Sequence, residues 1–397
     1  MPSQGRRDSP WRKMLTLFRP LLLLISILPA IAISPAPQDA KLGPAKELPY
    51  IRDYFYAGGK YVDDGTGKGE HIFVEQLYVE RLTPVRQRGN KPPIVFIHGQ
   101  AQTGTNWLNK PDGGRGWASF FTSKGYTIYI IDQTSRGRSP RKPANGTLTT
   151  YSAETIQQRF TAGQDYNLWP QARLHTQWPG TGKMGDPIFD AYYASNVDFL
   201  SSATTQQSTV QSAGAALLDR IGCPVILLAH SQGGVMPWLI ADVRPQLVHA
   251  IVSIEPTGPP FQEGVFATTS ARPYGLTDVP LTYDPPVADP TKDLVRSEPI
   301  APEAPVDGAV KCILQADAQP RQLVNLKDIP VVVITAEASY HVPYDWCTVK
   351  YLKQAGVQTE HLYLADKRVK GNGHLVFLEK NSDRVGQVVV DWIEKHK

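Results

Sequence analysis

A serine, a histidine and a carboxylate, far apart in the chain, each stand where they could perform acyl transfer. Ser231 lies in Val225-Ile226-Leu227-Leu228-Ala229-His230-Ser231-Gln232-Gly233-Gly234, an apolar run that breaks at the serine and reopens as a helix. A serine on such a turn is held in a strained backbone conformation with its hydroxyl presented outward, so the residues two before and two after it must be small. Ala229 and Gly233 meet that demand, although Ala229 departs from the commoner Gly-x-Ser-x-Gly. A serine in an ordinary strand-to-helix turn is the plain alternative.

Such a nucleophile needs a base. Gly371-Asn372-Gly373-His374 follows the apolar run at Glu360 to Leu364 and precedes an amphipathic stretch near Arg384 to Lys395. Of the nine histidines, His374 alone combines this late position with flanking glycines that let the backbone bring an imidazole over the serine hydroxyl. A surface loop histidine is the bland reading. The third member only has to orient the ring and stabilise its cation. Glu255, at the end of the run Val248 to Ile254, can fill that role, with Glu337 and Asp345 as rival acids and a salt-bridged structural glutamate as the alternative.

Further segments carry a resemblance. Pro93-Ile94-Val95-Phe96-Ile97-His98-Gly99-Gln100-Ala101 is another apolar run ending in His-Gly, with Thr103-Gly104 behind it. Together with Asp132-Gln133-Thr134-Ser135-Arg136-Gly137-Arg138-Ser139, Leu174-His175-Thr176-Gln177-Trp178-Pro179-Gly180-Thr181-Gly182 and the three segments above, it resembles the α/β-hydrolase superfamily. The likeness is to the branch of secreted bacterial and fungal esterases with a Ser, Glu, His triad whose Glu follows strand six, and it runs from about Tyr50 to the C-terminus. It implies an α/β-hydrolase fold, a mostly parallel central sheet flanked by helices with a lid insertion. It also implies carboxylic ester hydrolysis by Ser231, Glu255 and His374, with the Gln100 and Gln232 amides as the oxyanion hole. His98 and His230 are then supports. Ser339 stands where most relatives place the acid. One departure is clear: a characterised type of this branch has two adjacent cysteines directly after the His-Gly, and this chain has Gln100-Ala101.

The elements that must position these residues follow from the pattern. Tyr50 to Tyr56 and His71 to Val79 read as antiparallel opening strands around the turn Asp63-Asp64-Gly65-Thr66-Gly67. The parallel core is expected at Ile94 to Ile97, Thr127 to Ile131, Val225 to Ala229, Ala250 to Ile254, Val331 to Thr335 and Glu360 to Leu364. Helices are expected at Ser208 to Arg220, Val235 to Val243 and Asp345 to Gln354. A single hydrolase domain spans 50–397, with two insertions. Residues 140–205 hold Phe160, Tyr166, Trp169, Trp178, Phe189, Tyr192 and Tyr193, and read as a lid whose aromatics either meet an apolar substrate group or pack its own core. Residues 257–325, with Pro259-Pro260 and Pro285-Pro286, read as an ordered wrapping loop.

The N-terminus points to secretion. Arg6, Arg7, Arg12, Lys13 and Arg19 precede an apolar stretch from Pro20 to Ile33 with Ala30-Ile31-Ala32 near its end, as in a signal peptide at 1–32 followed by a Pro-rich leader at 33–49. An uncleaved anchor is the other reading. Removing 1–32 takes away five basic residues and Asp8, leaving 36 of each sign, so nothing calls for nucleic acid or an anionic membrane surface. Cys312 and Cys347 are the best pair for a disulfide and are expected near the surface, with Cys223 buried and reduced; Asn145-Gly146-Thr147 is the only glycosylation sequon. His and Cys lack zinc spacing, so neither metal nor cofactor is expected. The reading is a secreted serine esterase acting on a small ester with an apolar or aromatic group. A lactonase, thioesterase or tailoring hydrolase would use the same residues, and a hydrolase-fold binding protein without turnover is the other class.

Overall fold

The computed structural model describes residues 47–396 apart from 87–88, 143–144 and 317. The expected signal segment and most of the leader lie outside the described residues.

Eight strands form one sheet: β1 (Tyr50–Asp63), β2 (His71–Pro84), β3 (Ile94–Ile97), β4 (Ile128–Asp132), β5 (Val225–His230), β6 (Val248–Ile254), β7 (Val331–Thr335) and β8 (Thr359–Tyr363). Their spatial order is β1-β2-β4-β3-β5-β6-β7-β8. The pairs β1–β2 and β2–β4 are antiparallel, and every other neighbouring pair is parallel. The opening hairpin is longer than the sequence suggests. The first strand is expected to end at Tyr56, yet β1 runs on through Ala57-Gly58-Gly59, and an added Cβ at Gly58 would lie only 2.6 Å from Ala213 Cα of the helix packed over it. The glycine serves a close approach, not a turn.

Strand alternation sorts the core into two layers. Val95, Ile97, Leu227, Ala229, Val331 and Val333 face one cluster, which also takes residues from α2 (Ala203–Ile221), α3 (Met236–Val243) and α4 (Asp345–Gln354). Ile94, Phe96, Ile226, Leu228, Val332 and Ile334 face the other, covered by α1 (Trp117–Ser123) and α5 (Ser382–Lys395). Helix α5 buries Val385, Val389, Trp392 and Ile393 at helical spacing. Helix α2 begins five residues earlier than its apolar pattern, since Ser202 caps it by accepting from the Thr205 amide, and Gly222 ends it in the left-handed conformation.

Both insertions are ordered. Residues 140–205 contain short helices at Ala153–Ile156, Gly163–Tyr166 and Pro187–Tyr193, plus a two-stranded pair, Leu148–Thr149 with Phe199–Leu200. Residues 257–325 contain one short helix, Pro290–Asp293, and Tyr283–Asp284 paired with Gln322–Leu323. A Cys312–Cys347 disulfide ties this loop to α4. The expected burial is reversed: Cys312 and Cys347 are fully buried, whereas Cys223 is free and exposed, because it follows the Gly222 cap in the turn before β5. Asn145 is buried and its Oδ1 accepts from the Lys142 amide. Among the described residues no helix is long and apolar enough to cross a membrane.

Candidate active site

The C-terminal ends of β3, β5, β6 and β7 and the loop after β8 converge on one cavity. Ser231 follows β5 directly and has φ 57°, a conformation that costs a non-glycine residue of the order of 1–3 kcal/mol. The chain then turns through a tight 3₁₀ segment, Ser231–Val235, into α3. Space decides the residues around it. A Cβ on Gly233 would sit 2.2 Å from the His98 carbonyl oxygen, and one on Gly234 2.8 Å from Pro256.

Glu255 follows β6 at φ 49° and is fully buried. Its Oε2 lies 2.6 Å from His374 Nδ1 and accepts from Ser339 Oγ at 2.7 Å, while Oε1 accepts from the Ala336 amide at 2.8 Å. Burial pushes this carboxyl well above its ordinary range, with Asp345 adding to the effect and the Ser339 and Ala336 bonds opposing it. Burial also holds the His374 ring far below the usual imidazole value, assisted by His230 and His341. With Nδ1 turned to Glu255, Nε2 is the acceptor, and it lies 3.3 Å from the Tyr340 hydroxyl. Ser231, His374, Gln100 and Gln232 line a common cavity of about 90 Å³, with Tyr151, Phe160, Tyr192, Phe266 and Tyr340 among its walls.

The loop carrying His374 is fixed from behind by a second acid. Buried Glu379 accepts from the Gly373 amide (2.9 Å), Asn372 Nδ2 (2.6 Å) and His175 Nε2 (2.7 Å). His175 belongs to the 140–205 insertion, and the amides of Thr176 and Gln177 both donate to the Gly371 carbonyl. A Cβ on Gly373 would lie 2.8 Å from His175 Nε2, so the glycine there admits this contact.

The sequence matches the family described as "Alpha/beta hydrolase family" over residues 94–388. The chain is an α/β-hydrolase. It is 46% identical over 346 residues to "Probable secreted lipase phiG" of Fungal sp. (strain ATCC 74256), covering 87% of this chain and 90% of that protein. Its fold is similar to that in "The Atomic Resolution Structure of a Novel Bacterial Esterase", with TM-score 0.58 and 22% identity over 89% of this chain and 98% of that one.

Within this hydrolase the rival acids serve elsewhere. Glu337 Oε2 accepts from the Gly371 amide at 2.8 Å. Asp345 holds His341 Nδ1 at 2.8 Å and the Thr335 hydroxyl at 2.7 Å. Neither bonds the His374 ring, and Ser339 donates its hydroxyl to Glu255. His98 and His230 are buried, which brings each imidazole down to about 3 and leaves both neutral. His98 Nε2 accepts from the Gln133 amide (3.0 Å), so its Nδ1–H donates to the Gly99 carbonyl (2.8 Å); His230 Nε2 donates to the His374 carbonyl (2.9 Å). Glu255, His341 and His374 bring ligand atoms within 4.8 Å of one another. That grouping is already engaged, since His341 uses Nδ1 for Asp345 and Nε2 for the Tyr344 hydroxyl.

The aromatics of residues 140–205 divide between the two expected roles. Trp178 and Phe189 are buried packing residues, whereas Phe160 stacks on His374 with ring centres 5.3 Å apart and Tyr192 lines the cavity. Arg136, present in the Asp132–Ser139 motif but given no role by the sequence, is buried and donates Nη1 to the Gly99 carbonyl at 3.0 Å. That carbonyl shares its peptide unit with the Gln100 N–H, so the arginine and His98 both polarise the unit expected to meet an oxyanion.

Proposed function

We propose that this hydrolase is a secreted serine esterase working through an acyl-enzyme. The observation that carries the reading is the 2.6 Å bond between His374 Nδ1 and Glu255, on a ring that opens to the same cavity as a serine at positive φ. In this reading Ser231 Oγ attacks the ester carbonyl as His374 Nε2 takes its proton. Before that, Tyr340 releases Nε2. The developing oxyanion meets the amides of Gln100 and Gln232, the first of them polarised by Arg136 and His98 through Gly99. Collapse of the tetrahedral intermediate expels the alcohol with the proton from His374. Water, activated by the same ring, then releases the acid and restores Ser231. Glu255 orients the ring and stabilises its cation throughout. The secreted lipase at 46% identity supports both the ester substrate and secretion.

Intact-mass analysis and peptide mapping of protein from the culture medium and from the cells, after treatment with a fluorophosphonate, test this reading. A single adduct on Ser231, in a chain beginning near Ile33, is the expected result. An unlabelled Ser231 in folded protein would leave the hydrolase fold without a nucleophile, and retention of residues 1–32 would favour an anchor.

The buried ring carries a pH expectation. His374 must be neutral to accept a proton, and burial lowers its pKa from 6.5, so the neutral form persists into more acidic solution. The acid limb of kcat/KM for a neutral ester should therefore fall below pH 6.5. An inflection at or above that value would contradict a desolvated base.

A further inference from the structure

Arg159 stands where the nucleophile's cavity adjoins a larger one. Its side chain lines both the cavity around Ser231 and His374 and a neighbouring cavity of about 270 Å³, and Thr257, Phe266 and Tyr340 are the other shared walls. An acyl chain attached at Ser231 and directed toward the larger space would run along these shared walls, with the guanidinium among them. The space exceeds the roughly 150 Å³ cavity that takes up benzene in an engineered protein, so a chain of several carbons fits. Tyr344, Val265 and Ala267 give it apolar surface.

Among the described residues the charge on Arg159 has no acidic counterpart. Its guanidinium lies over the Phe266 ring, 4.1 Å from the centre, and among the described residues no carboxylate forms an ion pair with it. Glu263, the acid in the same cavity, is taken by Arg272 Nη1 at 3.0 Å. Arg159 is half-buried, with its guanidinium on an aromatic ring beside both cavities, where an anion arriving with the substrate can form a charge-assisted pair with it. We infer that Arg159 receives a carboxylate at the far end of the acyl chain, so that the preferred substrates are monoesters of dicarboxylic acids and not simple fatty esters. The inference rests on the esterase reading and names its substrate class.

A packing role for Arg159, stacking on Phe266 to join the two insertions, predicts no charge preference. Monoethyl adipate and ethyl heptanoate, similar in length and differing in charge, separate the two. Turnover of both is measured for the Ser231 enzyme, and binding of both by calorimetry for Ser231→Ala, each with Arg159, Arg159→Met and Arg159→Lys. The adipate monoester should be preferred. Arg159→Met, which keeps an apolar side chain against Phe266, should lower the ratio of kcat/KM for adipate over heptanoate by roughly tenfold to a hundredfold, and Arg159→Lys should keep part of it. The ratio cancels any general loss of activity. A ratio unmoved by Arg159→Met, whether both rates hold or both fall together, overturns the inference. Charge preference in binding without turnover of either ester would instead uphold Arg159 and sink the esterase reading, while turnover without charge preference would do the reverse.

Discussion

Replacing Ser231 with alanine should abolish ester turnover, with a loss on the order of a millionfold in kcat, while the protein stays folded. The substitution removes one oxygen beside an open cavity and leaves the backbone problem as it was, since alanine at φ 57° meets the same steric cost as serine. Ser231→Gly separates the two effects. It should be equally inactive, yet more stable than Ser231→Ala by about 1 kcal/mol, because glycine adopts positive φ without strain. Rates on a p-nitrophenyl ester, with circular dichroism and denaturant melts on the same samples, give both numbers. A folded Ser231→Ala protein that kept more than a few per cent of wild-type activity would remove Ser231 from the mechanism.

The contrast between what was readable in the chain and what was not has a physical basis. Every residue of β3, β5 and β7 is buried, and strands buried on both faces write themselves as continuous apolar runs, so Ile94–Ile97 and Val331–Thr335 are legible to the residue. The serine turn is legible because its steric demand falls on immediate neighbours. Glu255 was legible as a candidate because it ends such a run. Glu379 and Arg136 were not, since their roles depend on His175 and on the Gly99 carbonyl, which lie 204 and 37 positions away in the sequence. The misjudged burial of the cysteines has the same origin. Cys312 sits in a Pro-rich stretch that looks like surface, but the loop folds back onto α4 and seals it. Periodicity reports which face of an element is covered; it carries no record of which distant segment does the covering.

The acid is where a single substitution has most to decide after the serine. Glu255→Gln keeps the shape and the Ser339 and Ala336 contacts within reach, but an amide can present its NH₂ to His374 Nδ1 and so favour the tautomer with the proton on Nε2, the wrong one for a base. The loss in kcat should be large, up to roughly ten-thousandfold, with little change in KM because Glu255 is buried behind the imidazole and does not line the cavity. Glu337→Gln and Asp345→Asn should cost far less. Glu337 holds a loop amide, and Asp345 holds His341 and Thr335, so their loss loosens supports without misprotonating the base. Parallel kinetics on one ester rank the three. Should Asp345→Asn or Glu337→Gln prove the most damaging while Glu255→Gln stays near wild type, the hydrogen bond at 2.6 Å would be a structural contact, and the ring would take its orientation from the strand after β6.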